Sequence, residues 1–105
     1  MFNINNEWWQ LEFVSPHSYH LRRPNGTLTL GVCNDVDKKI YLSEKLYGKM
    51  LKKVLCHELT HAAMFSYNVE LSLEQEELLA DIIATYGEEI IQITNTLFYK
   101  IKGRH

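Results

Sequence analysis

Five successive residues, His57-Glu58-Leu59-Thr60-His61, form the part of this 105-residue chain best suited to chemistry. They sit between Met50-Leu51-Lys52-Lys53-Val54-Leu55-Cys56 and Ala62-Ala63-Met64-Phe65, with no Gly or Pro between positions 49 and 66. That is helix-forming sequence, and at about 3.6 residues per turn positions i and i+4 share a face. His57 and His61 therefore project side by side, near enough for two imidazole nitrogens to meet one ion at the ~2.0–2.1 Å that zinc prefers. Glu58 lies one residue round the helix, placed to accept a proton from a metal-activated water rather than to bind the metal. Two ligands and a general base from one stretch of helix is the pattern of a zinc peptidase site. Pentads of this form also arise by chance. Against chance stand the helical context, the small Ala62 and Ala63 that let a second element approach, and a suitable third ligand further on.

A catalytic zinc site takes three protein ligands and keeps one position for water. The segment Leu71-Ser72-Leu73-Glu74-Gln75-Glu76-Glu77-Leu78-Leu79-Ala80-Asp81 offers the third. Ser72 and Gln75 have the spacing of a capping box opening a second helix. Apolar residues at 78, 79, 82, 83, 86, 90 and 93 follow at helical spacing, so this helix is expected to bury one face. Glu77 and Asp81, at i and i+4, border that stripe. Glu77 is the expected metal ligand, and Asp81, one turn on, the carboxylate that orients a ligand histidine through its distal nitrogen. Glu76 is the alternative ligand and Glu70 a more distant one. Glu74, Glu76 and Glu77 also suit a helix N-terminus with no metal role at all. The pattern with Gly three and His six residues after the second histidine is excluded, because positions 64 and 67 are Met and Tyr.

The segments His57-Glu58-Leu59-Thr60-His61-Ala62 and Glu77-Leu78-Leu79-Ala80-Asp81-Ile82-Ile83-Ala84-Thr85-Tyr86-Gly87 resemble those of ImmA/IrrE-type metallopeptidases. More broadly they resemble small gluzincins, in which HExxH is followed by a Glu-x-x-x-Asp helix. Leu30-Gly31 through Lys39-Ile40-Tyr41-Leu42-Ser43 is similar to the strand pair that leads into the metal helix of that family, so the resemblance spans about residues 28–90. It implies zinc, a minimal peptidase fold, and the roles argued above for Glu77 and Asp81. It also implies a setting in bacteria, their phages or mobile elements, often beside a transcriptional repressor that the peptidase cleaves. The chain departs from larger relatives in having no extended substrate domain, no DNA-binding helix-turn-helix, and no counterpart of the residue that stabilises the oxyanion.

A chain of this length is expected to form one domain, residues 1–105, with one modest core. At 46% hydrophobic and 23% charged it has an ordinary globular composition. A formal charge of −2 gives no electrostatic case for direct nucleic-acid binding. Lys100, Lys102, Arg104 and His105 make a basic tail that reads as a solvated C-terminus. Cys33 and Cys56 are two isolated thiols rather than a disulfide framework, and Cys56 points about 100° away from His57. The first residues lack the basic and apolar regions of a signal peptide, and no apolar run reaches the ~18–20 residues of a membrane span. These features favour the cytoplasm. The expected partner is a protein or peptide substrate, and the expected state a monomer or small homo-oligomer.

The elements that must position the site read as α+β: a small three-stranded antiparallel sheet packed on two to three helices, a minimal zincin-like fold. Trp8 to Val14 alternates loosely as a strand, and since Trp8 and Trp9 cannot share a core, one should be exposed. Pro24-Asn25-Gly26 marks a turn. Leu28–Val32 and Lys39–Leu42 read as a hairpin, and Ser43-Glu44 as the start of helix, broken near Gly48. The Leu28–Val32 strand is a candidate edge for holding substrate by strand addition. His17 and His20 read as surface histidines, since nothing nearby completes a ligand set. The expected function is a zinc-dependent endopeptidase with Glu58 as general base on zinc held by His57, His61 and Glu77. The alternatives are a non-catalytic zinc-binding regulatory module on the same fold, and a structural zinc that ties two helices together.

Overall fold

The structure, a computed structural model, describes residues 1–103. Of the basic tail, Arg104 and His105 lie outside the described residues. The chain is α+β. The first strands are β1 (Phe2–Ile4) and β2 (Glu7–Val14). A 3₁₀ turn (Tyr19–Leu21) separates them from β3 (Gly31–Asn34) and β4 (Lys39–Ser43). Helix α1 (Gly48–Ser66) follows, then α2 (Leu73–Ile82), which runs through a π-helical turn (Ile83–Gly87) into α3 (Glu88–Lys102).

The sheet has four strands in the order β1-β2-β4-β3, which corrects the expected three antiparallel strands twice. The first addition is β1, joined to β2 by Asn5-Asn6, both at positive φ (49° and 64°). A two-residue turn with both φ positive matches the right-handed twist of a hairpin, and Asn tolerates it. The second correction is pairing. β3 and β4 form the expected antiparallel hairpin, but β4 lies parallel to β2, with Leu11 opposite Ile40 and Phe13 opposite Leu42. Residues 15–30 leave the sheet and return, which gives the length a parallel neighbour requires. The hairpin then inserts β4 in the centre and leaves β3 at the edge. Ile40, Tyr41, Leu42 and Ser43 are all buried, as both faces of a central strand demand. One face packs on α1. On the other, His20 from the 3₁₀ turn stacks on Tyr41 with centroids 4.2 Å apart.

Three boundaries also move. The strand expected at Leu28–Val32 begins at Gly31, with only an isolated Arg22–Leu28 bridge before it. Ser43 ends β4 rather than opening a helix, and α1 starts at Gly48, whose φ of +59° suits glycine. The core is Trp9, Ile40, Leu42 and Ala62, with Val54, Leu55 and Leu59 of α1 packed against it. Trp9 is fully buried and donates its indole N–H to Ser66 Oγ at 2.8 Å, while Trp8 is exposed. The sheet is thereby fixed to the last turn of the metal-motif helix.

The expectation that the second helix buries its apolar stripe is overturned. In α2 only Ala80 is buried, and no residue of the π turn or α3 is. The helical rod runs past the end of the body it could pack on, and the molecule measures 55 × 30 × 28 Å.

Candidate metal centre

The site forms where α2 folds back across α1. The turn at 67–72 reverses the chain, with Asn68 at φ 53°. Ser72 then caps α2, its hydroxyl accepting from Gln75 N while the Gln75 side chain accepts from Ser72 N. This reciprocal cap fixes the first turn of α2 and sets Glu76 and Glu77 opposite His61 and His57.

Five contacts define the arrangement. His57 Nε2 and His61 Nε2 are 3.2 Å apart. Glu77 places Oε2 at 3.2 Å from His57 Nε2 and Oε1 at 3.0 Å from His61 Nε2. Behind them, His57 Nδ1 donates to Asp81 Oδ1 at 3.0 Å and His61 Nδ1 to Glu76 Oε1 at 2.7 Å. With a cation bound at the Nε2 atoms, Asp81 and Glu76 would accept from Nδ1 of each ring and hold the tautomer whose lone pair points inward. Two imidazole lone pairs and a carboxylate facing one another form a donor set that a cation would satisfy. Among the described residues, His57, His61 and Glu77 have ligand atoms within 4.8 Å of one another and could hold a metal ion. Two ligands of a tetrahedral zinc at ~2.0–2.1 Å stand about 3.3 Å apart, close to the separations found here.

Glu58 points into the same cleft and is buried. Burial holds its carboxyl above the usual carboxylate range; His57 and His61 pull it down, Glu77 pushes it up, and Arg23 again lowers it. A cleft of about 740 Å³ opens in front of these groups, with β3 along one side and Phe65, Leu71 and Leu73 along another. Of the residues singled out by sequence, Glu70 stays in the exposed turn between the helices, and His17 and His20 lie away from the centre. Glu76, weighed as an alternative ligand, faces the distal nitrogen of His61 instead. Two residues of the cleft were not assigned to it from the sequence. Cys33, on β3, has its thiol pushed up to about 12, first by burial and then by Glu58 and Asp35. Arg23, which lines the cleft with Thr29, is anchored by a 3.3 Å bond from Nη2 to Thr29 Oγ1. Neither was legible without the fold, since both come from segments remote in sequence.

An α+β body with an HExxH helix under an edge strand, and a His/His/Glu cluster able to take a metal, defines a zinc-metallopeptidase-like domain. The chain belongs to the SprT-like family, whose model matches residues 1–76. The match covers the sheet, all of α1 and the start of α2, and it ends one residue before Glu77. The family shown is thus a zinc-metallopeptidase-like one, and the narrower ImmA/IrrE type is not what it specifies. No curated protein and no solved structure matches the chain. No helix among the described residues is long and apolar enough to cross a membrane.

Proposed function

We propose that this chain is a zinc-dependent endopeptidase. The observation that carries this reading is the convergence of His57 Nε2, His61 Nε2 and Glu77, with both Nδ1 atoms held from behind and Glu58 buried in the same cleft. Zinc held by those three residues would polarise a peptide carbonyl and bring the pKa of a water toward ~7. Glu58 takes the proton of the attacking water and delivers it to the leaving amine, a role favoured by a carboxyl that burial holds above the usual carboxylate range. Asp81 and Glu76 keep both imidazoles in the ligating tautomer.

The edge strand β3 supports an extended substrate. Gly31, Val32 and Cys33 border the cleft, and an unpaired strand edge offers backbone donors and acceptors to a peptide laid along it. Phe65, Leu71 and Leu73 favour an apolar side chain beside the scissile bond. Arg23, across the cleft, offers positive charge to the developing oxyanion or to a substrate carboxylate. The resemblance of the two metal segments to ImmA/IrrE-type peptidases favours a regulatory protein, such as a repressor of a phage or mobile element, as the substrate.

Elemental analysis of the purified chain and of Glu77→Ala is the first test, with one zinc per chain expected in the parent and loss or weakening in the variant. Glu58→Gln should then retain zinc and lose hydrolysis of an unfolded protein substrate by at least about a hundredfold. A Glu58→Gln protein that cleaves as fast as the parent ends the general-base mechanism. Zinc without cleavage, together with a protein bound equally by parent and variant, would leave the non-catalytic module as the function.

A further inference from the structure

Helix α3 carries the pattern of a buried helix and none of the burial. Ile90, Ile91, Ile93, Leu97, Phe98 and Ile101 are each 51% to 58% exposed. Ile90, Thr94, Leu97 and Ile101 repeat with the alternating four- and three-residue steps of a heptad seam, and Ile91, Ile93 and Phe98 widen it on both sides. A solvated surface helix has no use for six large apolar residues on one flank, and a patch of this extent marks an interaction site. An isolated helix of about 15 residues is marginal in water, so α3 gains most from a covering partner. The residues that match the family end at 76, so α3 lies wholly outside the part shared with it.

The charges on α3 identify the partner. Glu88 and Glu89 occupy its first turn, Lys100 and Lys102 its last. Glu88 is already paired with Lys52 of α1 at 2.7 Å, leaving Glu89 free of that contact. If a second α3 lies antiparallel with Ile90 level with the partner's Ile101, then Thr94 falls level with the partner's Leu97. Glu89 falls level with the partner's Lys102. One register aligns the apolar seam and brings opposite charges together at both ends. A parallel pair would set acid against acid and base against base.

We infer that α3 is a self-association element, through which two copies of this chain pair as an antiparallel helix dimer away from the metal cleft. The contact is about four turns per copy, at the small end of stable interfaces, so dissociation is expected in the micromolar range.

Sedimentation velocity on the full chain, over about a hundredfold range of concentration spanning the micromolar, tests this. The parent should pass from monomer to dimer mass. Leu97→Asp, at an exposed position and checked for retained helix by circular dichroism, should weaken association at least about tenfold. Glu89→Lys and Lys102→Glu should each weaken it about two- to threefold and, combined in one chain, restore it. That rescue occurs only in the antiparallel arrangement. A parent that stays monomeric throughout overturns the inference, as does a Leu97→Asp protein that dimerises like the parent, or a double reversal that fails to rescue. A monomeric parent that sediments with phosphatidylglycerol vesicles would assign the face to a lipid surface instead.

Discussion

Each imidazole at the metal centre is held from behind by a carboxylate, and the two holds differ in environment. Asp81, on His57, has a side chain 68% exposed, whereas Glu76, on His61, is 14% exposed. A hydrogen bond shielded from water is stronger, and its loss leaves a buried N–H without an acceptor. Glu76→Ala is therefore expected to weaken zinc binding more than Asp81→Ala, within the roughly 10- to 100-fold span of such partners. Glu76→Gln, which still offers an oxygen, should recover part of the loss. Competition with a chromogenic chelator ranks the variants, and equal losses for the two alanines would remove burial as the deciding factor. Cys33 gives a second residue-level expectation. With its pKa pushed up to about 12, its thiolate fraction near pH 8 falls more than about a thousandfold below that of an ordinary thiol, and the greater nucleophilicity of a more basic sulfur offsets only part of that. Alkylation of Cys33 near pH 8, followed by peptide mass spectrometry, should run about 50- to 100-fold slower in the folded protein than after unfolding. Fast labelling in the folded state would mean that β3 opens.

At the level of elements, β3 meets α1 closely at Gly31. A Cβ added at Gly31 would come to 2.9 Å from Val54 Cγ1, 3.0 Å from Leu42 Cδ2 and 3.1 Å from Glu58 Cγ. Two of those neighbours are core side chains with little room to yield. Gly31→Ala should cost about 1–3 kcal/mol of stability by overpacking, and it should also displace Glu58, so that activity falls further than the lost folding explains. Denaturant unfolding and zinc content separate the two effects, and an unchanged midpoint would show that β3 can slide outward freely. The same junction shows which parts of the fold are legible in sequence. Helix α1 and the start of α2 announce themselves locally, through an uninterrupted helical run and a Ser72/Gln75 cap, so the metal residues could be placed on the right elements. The parallel β2–β4 pairing could not be read, because strand order is set by which strand best fills the centre after residues 15–30 return. Asn5-Asn6 is a local turn signal, yet β1 beside it is too short to stand out. The apolar stripe after Leu78 was legible as a stripe, but periodicity states only that a face seeks cover, not that this chain supplies it.

Over the whole molecule, the metal site joins two parts that are otherwise unequally secured. The sheet and α1 share the core of Trp9, Ile40, Leu42 and Ala62, and a buried indole bond ties the first hairpin to Ser66. Helix α2 contributes one buried side chain, Ala80, and carries the exposed rod of α3 behind it. A cation bound by His57 and His61 from α1 and Glu77 from α2 would therefore act as the principal clasp on the second part. At a free metal concentration about a thousand times the dissociation constant, binding stabilises the folded state by about 4 kcal/mol. Removing the metal should return that stability unevenly. Without the cation α2 loses the tie that Glu77 makes through the metal to His57 and His61, while β2, β4 and α1 lose no core contact. Hydrogen exchange with and without a chelator, in a variant kept monomeric by Leu97→Asp, should show protection lost across 73–102 and retained in Glu7–Val14, Lys39–Ser43 and the middle of α1. Loss of protection throughout would make the metal a condition of folding for the entire chain, as in domains whose metal binding and folding are one event. Protection unchanged in every segment would mean that the capped first turn of α2 and Ala80 are sufficient to hold the second helix, and that the metal serves chemistry alone.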